Sequence, residues 1–261
     1  MTYNVQFSNF LTNEYQEIAS KILDLIYIGD FIYAIEIKES YESRTDITQV
    51  DRLSLSLLES IILNKLGNIK EALDLVDHVL SESPIPLLSV DAYQLKAEIL
   101  KEIGRIDDSL DAVERGEAIL TRFVPKEISE VTERLATILQ LKGMVLRELG
   151  TPINLNLALI YFLRSAELFT KTGNKLDVAV SLKNIGEIHN RKNDLDLAYD
   201  YYLKSQEIYS EMGSLHTIDV AVSLCNIANI HRLKGELFQA LKYLKQSLGL
   251  RKEVTSPLHQ T

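Results

Sequence analysis

A helix-turn-helix pattern recurs six times along this chain and constrains the fold more than any other feature. Each copy has an amphipathic stretch, a turn that begins with Gly or Asn, and a second stretch that opens on a small residue. Successive turns lie 38, 37, 46, 43 and 42 residues apart, a period typical of stacked helix pairs. We therefore predict an all-α chain of about six antiparallel helix pairs. The turn residues are Gly29, Gly67, Gly104, Gly150, Asn193 and Gly235, and the small residues are Ala34, Ala72, Ser109, Ala158, Ala198 and Ala240.

The helical pattern covers residues 14–253. Residues 1–13 are interpreted as an N-terminal arm and residues 254–261 as a C-terminal tail, and no Pro-, Gly- or Ser-rich linker divides the pattern. In the fourth copy, three additional residues are expected to lengthen the turn around Gly150. Thr151 and Pro152 are suited to a helix cap and a first helical position, so the helix pair should survive this insertion.

Composition and charge narrow the class of partner. The net charge is -9, with 17 Lys and Arg against 27 Asp and Glu before residue 174 and 11 against 10 from there on. Because this acidic surface would repel a phosphate backbone, we expect no nucleic-acid partner. No apolar run approaches the roughly 18 residues of a membrane helix, so no membrane partner is expected. The single cysteine and the absence of signal-peptide features favour a cytoplasmic location.

No motif typical of an enzyme or a cofactor site occurs in the sequence. HExxH, phosphate-binding loop, dinucleotide-binding glycine run and CxxC pair are all absent, so we predict a non-catalytic protein with no cofactor and no metal. His189 and His231 take the place of an aromatic residue on the first helix of their pairs and are interpreted as packing residues. Cys225 is interpreted as a small buried or groove residue, because His231 does not share its helical face.

The most specific local motif is Ser-Leu-x-Asn-Ile-x-x-Ile-His, which occurs at residues 181–189 and 223–231. The fifth copy continues with Ala198 and Tyr202 on its second helix, and the sixth with Ala240 and Leu244. This order of large, small and aromatic residues resembles the repeat pattern of the tetratricopeptide-repeat family. The fourth copy follows the same order with Leu139, Gly143, Leu146, Ala158 and Phe162.

The resemblance extends over residues 14–253 and is strongest over residues 130–252. The repeats are longer than the usual 34 or so residues, which is similar to kinesin light chains, mitotic-spindle adaptor proteins and peptide-sensing bacterial regulators. The resemblance implies a right-handed α-solenoid. It also implies that the first helix of each pair lines a concave surface that holds a peptide or protein segment.

The resemblance further implies which residues bind the ligand. Long-repeat members hold an extended peptide with an Asn directly before the Ile-Gly or Ile-Ala pair, which assigns this role to Asn184 and Asn226. A carboxamide can donate to and accept from a peptide backbone at once. Lys183, Arg191 and Arg232 would favour acidic groups on the partner. Alternatively, the Asn side chains bond to neighbouring helices and the charges are solvated. The predicted peptide-binding residues are Lys183, Asn184, Glu187, Asn190, Arg191, Asn226, Asn229 and Arg232.

The first three copies and the last helix are interpreted differently from the binding repeats. A carboxylate clamp for chaperone tails is rejected, because the corresponding positions of the first two repeats are apolar. The first three copies are acidic and apolar on their expected inner face, so we interpret them as support. The last helix is expected to leave leucines partly exposed, which predicts a weak homodimer or the docking of a partner helix. The clamp positions are Ala19, Leu23, Leu57 and Ile61, and the leucines are Leu241, Leu248 and Leu250.

The leading hypothesis is therefore a non-catalytic scaffold or adaptor. It would bind an extended peptide or partner segment, with acidic groups, on the concave face of the C-terminal repeats. Two alternatives stay open: the sensory, peptide-binding half of a regulatory protein, and a structural assembly element that acts through the ends of the stack.

Overall fold

The computed structural model describes residues 13–123, 129–213 and 216–255, and the long regular elements in these ranges are all α-helices. The prediction of an all-α solenoid of antiparallel helix pairs is confirmed. Most of the predicted arm, residues 1–12, and residues 256–261 of the predicted tail lie outside the described residues. The helices are α1 (Asn13–Ile28), α2 (Phe31–Glu42), α3 (Gln49–Lys65), α4 (Ile69–Glu82), α5 (Pro86–Glu102), α6 (Ile106–Phe123), α7 (Ser129–Leu149), α8 (Pro152–Thr172), α9 (Lys175–Arg191), α10 (Leu195–Glu211), α11 (Thr217–Leu233) and α12 (Leu237–Thr255).

All six predicted turn residues have a left-handed backbone. The φ angles of the five glycines lie between 67° and 86°, and that of Asn193 is 63°. Glycine enters this region without a steric penalty, and asparagine tolerates it better than most residues. The six predicted small residues are buried, which lets the second helix of each pair approach the first. At Gly186 the approach is so close that a Cβ would lie 2.9 Å from two ring carbons of Tyr202.

The longer turn predicted in the fourth copy is wrong. Only Gly150 and Thr151 separate α7 from α8. The additional residues instead lengthen the start of α8, since six positions separate Pro152 from Ala158 where three separate Leu195 from Ala198. Thr151 caps the helix as predicted, because its hydroxyl accepts from the backbone N–H of Asn154 at 3.2 Å. A start capped in this way, with Pro at the first position, extends as helix rather than as loop.

The chain divides into two compact units, Met1–Val145 (unit 1) and Leu146–Thr261 (unit 2), with the boundary inside α7. Unit 1 packs α1 to α5 around one apolar cluster, which includes Tyr15 and Leu58. A second cluster joins α5, α6 and α7 and includes Val113 and Ile138. The third copy was expected to be apolar on its inner face, but its first helix, α5, buries the polar side chains of Asp91 and Gln94.

Unit 2 repeats one packing scheme in α9 with α10 and in α11 with α12. Ser205 of α10 donates a hydrogen bond to the carbonyl oxygen of Ala179 at 2.8 Å. Ser247 of α12 makes the same bond to Ala221 at 2.7 Å, 42 residues further along. All four residues are buried, so this bond fixes the register of each second helix on its first helix.

Candidate functional site

The eight predicted ligand-binding residues lie on α9 and α11, and we call them together the α9–α11 face. The two helices each have 17 residues and begin 42 residues apart. Both bury the same apolar positions, with Ile185 and Ile188 on α9 matching Ile227 and Ile230 on α11. Because the buried positions match, the polar residues between them also occupy matching positions on the two helices.

A charged network around Arg147, in the last turn of α7, occupies the α9 part of this face. Nη1 of Arg147 donates to Oδ1 of Asn184 at 2.7 Å and to Oε2 of Glu187 at 2.7 Å. Nη2 of Arg191 donates to the other carboxylate oxygen of Glu187 at 3.0 Å, and Nη1 donates to the backbone carbonyl of Arg147 at 3.1 Å. Both oxygens of Glu187 thus accept from guanidinium groups, and Nη2 of Arg147 donates to Oε1 of Glu148 at 2.9 Å. The two guanidinium charges are therefore balanced by two carboxylates.

The network changes what Asn184 can offer to a ligand. Asn184 is only 4% exposed, and its carbonyl oxygen already accepts from Arg147. Its Nδ2 donors are free of partners among the described residues, whereas its carbonyl oxygen would have to be shared with Arg147 if it also accepted from a peptide. The alternative interpretation, in which the Asn bonds to a neighbouring helix, therefore describes the carbonyl side of Asn184. Its role in ligand binding stays a prediction.

Lys183, directly before Asn184, is a half-buried cation outside the charged network. Burial lowers the pKa of Lys183, while the negative charges of Asp219 and Glu187 oppose that shift and Arg147 adds to it. Within the described ranges, its ammonium group forms neither a hydrogen bond nor an ion pair. Burial therefore disfavours the positive charge of Lys183, and no neighbouring carboxylate in the described ranges contacts that charge directly.

On α11 the polar groups are less occupied than on α9. Asn226 is half-buried, and its amide has no hydrogen-bond partner among the residues that the structure describes. Oδ1 of Asn229 accepts from Nη2 of Arg232 at 2.8 Å and from Nε at 3.2 Å. Arg232 is exposed and has no acidic partner in the described part of the chain. Asn190 of α9 is half-buried, at the repeat position that Arg232 occupies on α11.

The rings of His189 and His231 pack against tyrosines of the following helix, as predicted, and Cys225 is half-buried. The ring of His189 stacks on Tyr201 with the centroids 5.6 Å apart, and that of His231 stacks on Tyr243 at 5.2 Å. Sγ of Cys225 lies 3.1 Å from the buried hydroxyl of Ser247. These contacts join the first helix of each pair to its second helix.

Sequence reasoning missed Arg147, although a signal for it exists. Arg147 follows Gly143 by four residues, just as Asn190 follows Gly186 and Arg232 follows Ala228. The Asn motif does not indicate the fourth copy, because Leu141 occupies the position of the Asn there. Comparison of all polar positions across the repeats would have singled out Arg147.

Two further observations concern the described ranges only. They contain no group of three or more His, Cys, Asp or Glu side chains placed to hold a metal ion. None of their helices combines the length and the apolar character that crossing a lipid bilayer requires.

Comparison with known proteins supports the fold and the repeat family. Residues 220–260 match the sequence profile of the tetratricopeptide repeat. No curated protein has a sequence that matches this chain significantly. BtubC (BKLC) from P. vanneervenii has a similar structure, with a TM-score of 0.66 and 16% identity over 95% of this chain and 92% of that one.

Two other solved structures are similar. The apo form of RapI has a TM-score of 0.64 and 16% identity over 97% of this chain and 68% of that one. The repeats of a putative kinesin light chain from Podosopora anserina have a TM-score of 0.59 and 14% identity over 79% and 98%. At these identities the likeness concerns the fold, which is an α-solenoid of repeated helix pairs. The match to the tetratricopeptide-repeat profile is confined to residues 220–260, the last repeat, and the rest of the chain shares the fold of these structures.

Proposed function

We propose that the protein is a non-catalytic interaction scaffold that binds an extended, acidic peptide segment on the α9–α11 face. The observation that carries this proposal is that two cations on that face lack a partner of opposite charge within the described ranges. Lys183 and Arg232 have no acidic partner in the described residues, whereas the guanidinium groups of Arg147 and Arg191 both bond to Glu187.

The half-buried position of Lys183 makes an acidic ligand the best match. An ammonium group withdrawn from water loses hydration free energy unless a carboxylate or another acceptor replaces the water. A ligand carboxylate beside Lys183 would supply that acceptor, and a second acidic group could bind Arg232 in the bidentate manner that guanidinium favours. The balanced network around Glu187 would stay intact beneath the ligand.

The Asn side chains supply the contacts that do not depend on the ligand sequence. Asn226 can donate to a peptide carbonyl and accept from a peptide N–H, because both functions of its amide are unused within the described residues. Asn184 can donate through Nδ2, but its carbonyl oxygen already accepts from Arg147. We therefore propose that Asn226 contributes more than Asn184 to holding the peptide backbone, although the two occupy equivalent positions.

We place the scaffold in the cytoplasm, where peptide segments of partner proteins are available. A weak homodimer through α12, the other expectation for its exposed leucines, is disfavoured by the basic residues of that helix, and sedimentation at high concentration tests whether it forms. The sensory half of a regulatory protein is the main alternative, and it would use the same α9–α11 face.

The test is binding of short extended peptides, rich in Asp and Glu, to the full chain, with Lys-rich twins of the same length as reference. Fluorescence anisotropy should show tighter binding of the acidic set. Lys183→Met keeps the apolar stem and removes the charge, and it should weaken binding about tenfold, which corresponds to about 1.4 kcal/mol. Asn226→Ala should weaken it more than Asn184→Ala.

Lys175→Met serves as the matched control, because Lys175 lies on the same helix but outside the α9–α11 face. Its peptide affinity should equal that of the unchanged chain. The proposal is wrong if the acidic peptides bind no better than their basic twins, or if Lys183→Met binds the acidic set as well as Lys175→Met does.

A further inference from the structure

The second helices of the last three repeats carry apolar residues at the same three positions. These positions lie three residues before the small residue that opens each second helix, one residue after it and four residues after it. The triplets are Leu155, Leu159 and Phe162 on α8, Leu195, Tyr199 and Tyr202 on α10, and Leu237, Leu241 and Leu244 on α12.

In α10 this triplet is the surface on which the next helix packs. Leu195 and Tyr199 are half-buried against a core that includes Ile227 and Ile230 of α11, and Tyr202 is 3% exposed. The ring of Tyr199 also meets that of His231 edge to face, with the centroids 5.5 Å apart. The triplet of α10 therefore acts as a docking surface for a helix.

In α12 the same positions are open. Leu237 is 67% exposed, Leu241 51% and Leu244 47%. Leu248, one helical turn beyond Leu244, is 53% exposed. Of the three leucines that the sequence analysis expected to be exposed, Leu241 and Leu248 are exposed and Leu250 is half-buried. These residues form one strip along the helix, which we call the α12 stripe: Leu237, Leu241, Leu244 and Leu248.

We propose that the α12 stripe binds an amphipathic helix of a partner protein, in the position that α11 takes on α10. The register supports a helix as the occupant, since α12 has leucines at the positions that Leu195, Tyr199 and Tyr202 occupy on α10. Leu203, which also packs in the core shared with α11, is replaced by Lys245 on α12. A lone exposed leucine is ordinary on a protein surface, but four in helical register form a continuous apolar strip. A helix in a groove buries such a strip with apolar residues at intervals of three and four.

The charges around the stripe indicate the chemistry of the partner helix. α12 carries four basic residues, all exposed, and a single acidic one, Glu253. An occupant with acidic residues beside its apolar face would match this charge. Two copies of α12 packed together would instead bring basic residues against basic residues, which disfavours a second copy of this chain. The basic residues are Lys242, Lys245, Arg251 and Lys252.

A membrane surface is the other occupant that leucines and lysines suit, because an amphipathic helix can lie in the headgroup region of anionic lipids. The match between α12 and α10 in residue type and register favours a helix over a lipid surface. This proposal is independent of the α9–α11 face, since the stripe lies on the second helix of its pair and includes none of the eight predicted peptide-binding residues.

The probe is a synthetic peptide with the sequence of α11, which already docks on α10 in the fold. In the acidic version Asn226, Asn229 and Arg232 are replaced by Glu, and in the basic version by Lys. The apolar docking residues stay unchanged in both. Fluorescence anisotropy with the full chain should show the acidic peptide binding roughly tenfold tighter than the basic one, with the difference shrinking as salt is added.

Leu241→Glu and Leu248→Glu should each weaken binding of the acidic peptide by roughly tenfold or more, because a charge enters the apolar strip. Ile160→Glu is the matched control, since Ile160 is also an exposed apolar residue of a second helix, at 58% exposure, but lies on α8. It should leave binding unchanged, and so should Lys183→Met. Thermal melting by circular dichroism should show that the variants fold.

Three outcomes would overturn the proposal. The first is that neither peptide binds, or that both bind equally. The second is that sedimentation shows the unchanged chain as a dimer that Leu241→Glu converts to a monomer, which assigns the stripe to a second copy. The third is that the chain binds vesicles of phosphatidylcholine and phosphatidylserine through Leu241 while neither peptide binds, which assigns it to a lipid surface.

Discussion

Particular charged residues on the helices of the two units differ in whether they have a partner of opposite charge. In unit 1 the guanidinium of Arg134 bonds twice to the carboxylate of Asp91, at 2.8 and 2.9 Å, and both residues are buried. Lys142 pairs with Glu117 at 2.8 Å in the same unit. In unit 2 Lys183 and Arg232 have no acidic partner among the described residues.

The difference shows that a polar residue on a repeat helix does not identify a binding site by itself. Where a partner of opposite charge lies on a neighbouring helix, the pair belongs to the fold, and removal of one member leaves a buried charge. Where no partner lies within reach, a ligand can take its place. The presence or absence of a partner of opposite charge therefore distinguishes a structural charge in unit 1 from a candidate binding charge in unit 2.

The largest effect is expected for Arg134→Met in unit 1. This change leaves the Asp91 carboxylate buried without its guanidinium, so it should lower the free energy of unfolding by about 3–5 kcal/mol. Urea denaturation measures the effect. The double variant Arg134→Met/Asp91→Leu should recover much of the loss, since no charge is then left buried. If the single variant cost less than about 1 kcal/mol, the pair would be solvated and the contrast between the units would fail.

The next effect concerns Glu98 on α5, whose carboxylate accepts from Nε2 of Gln94 at 3.1 Å. Burial raises the pKa of Glu98 from 4.5 to about 7, with Gln94 opposing the shift. Between these two values the folded chain keeps a proton that the unfolded chain has lost. The resulting stability is present at the acidic end and is lost as the pH rises through about 7.

Urea denaturation at several pH values should therefore show a loss of roughly 1–3 kcal/mol across this range in the unchanged chain, relative to Glu98→Gln. The Glu98→Gln variant is the control for the unchanged chain, because it removes the titration of Glu98 and keeps all other titrating groups. Parallel pH profiles for the two proteins would mean that water reaches Glu98. Unit 1 would then also have a charged side chain that is accessible to solvent, and the contrast between paired charges in unit 1 and unpaired charges in unit 2 would no longer hold.

The smallest effect is expected for Lys183→Met in unit 2. Removal of a half-buried cation that has no partner should leave the free energy of unfolding within about 0.5 kcal/mol or raise it slightly. Lys142→Met in unit 1 is the matched control, and it should lose about 1 kcal/mol or more because Glu117 is left without its partner. Thermal melting measures both. Equal losses in the two variants would contradict the distinction between the units.

Local sequence signals predicted the fold well because their physical causes are local. The left-handed turns at Gly67 and Asn193 follow from the backbone freedom of Gly and Asn, and the burial of Ala198 follows from its place in the repeat. The length of the fourth turn was predicted wrongly, and the cause of this error is also local. Inserted residues can extend a capped helix as readily as a loop, and the count of residues alone does not distinguish the two.

The candidate site was predictable only in its location. The motif around Asn184 and Asn226 indicated the helices and the repeat positions, and both residues lie on the first helices as expected. Nothing in that motif distinguishes the two amides, yet Asn184 accepts from Arg147 while Asn226 bonds to no described residue. The difference arises from a residue of the preceding repeat, 37 positions away from Asn184.

The sequence by itself therefore determined the antiparallel helix pairs of the described ranges, the residues at which their turns begin and the positions of the small residues between them. These features depend on helical periodicity, backbone freedom and side-chain size, which each short segment carries within itself. Only the tertiary structure decided which charges are paired, which amides are occupied and which apolar strip is uncovered. Those properties depend on side chains about one repeat apart along the chain, and only folding brings them within hydrogen-bond distance.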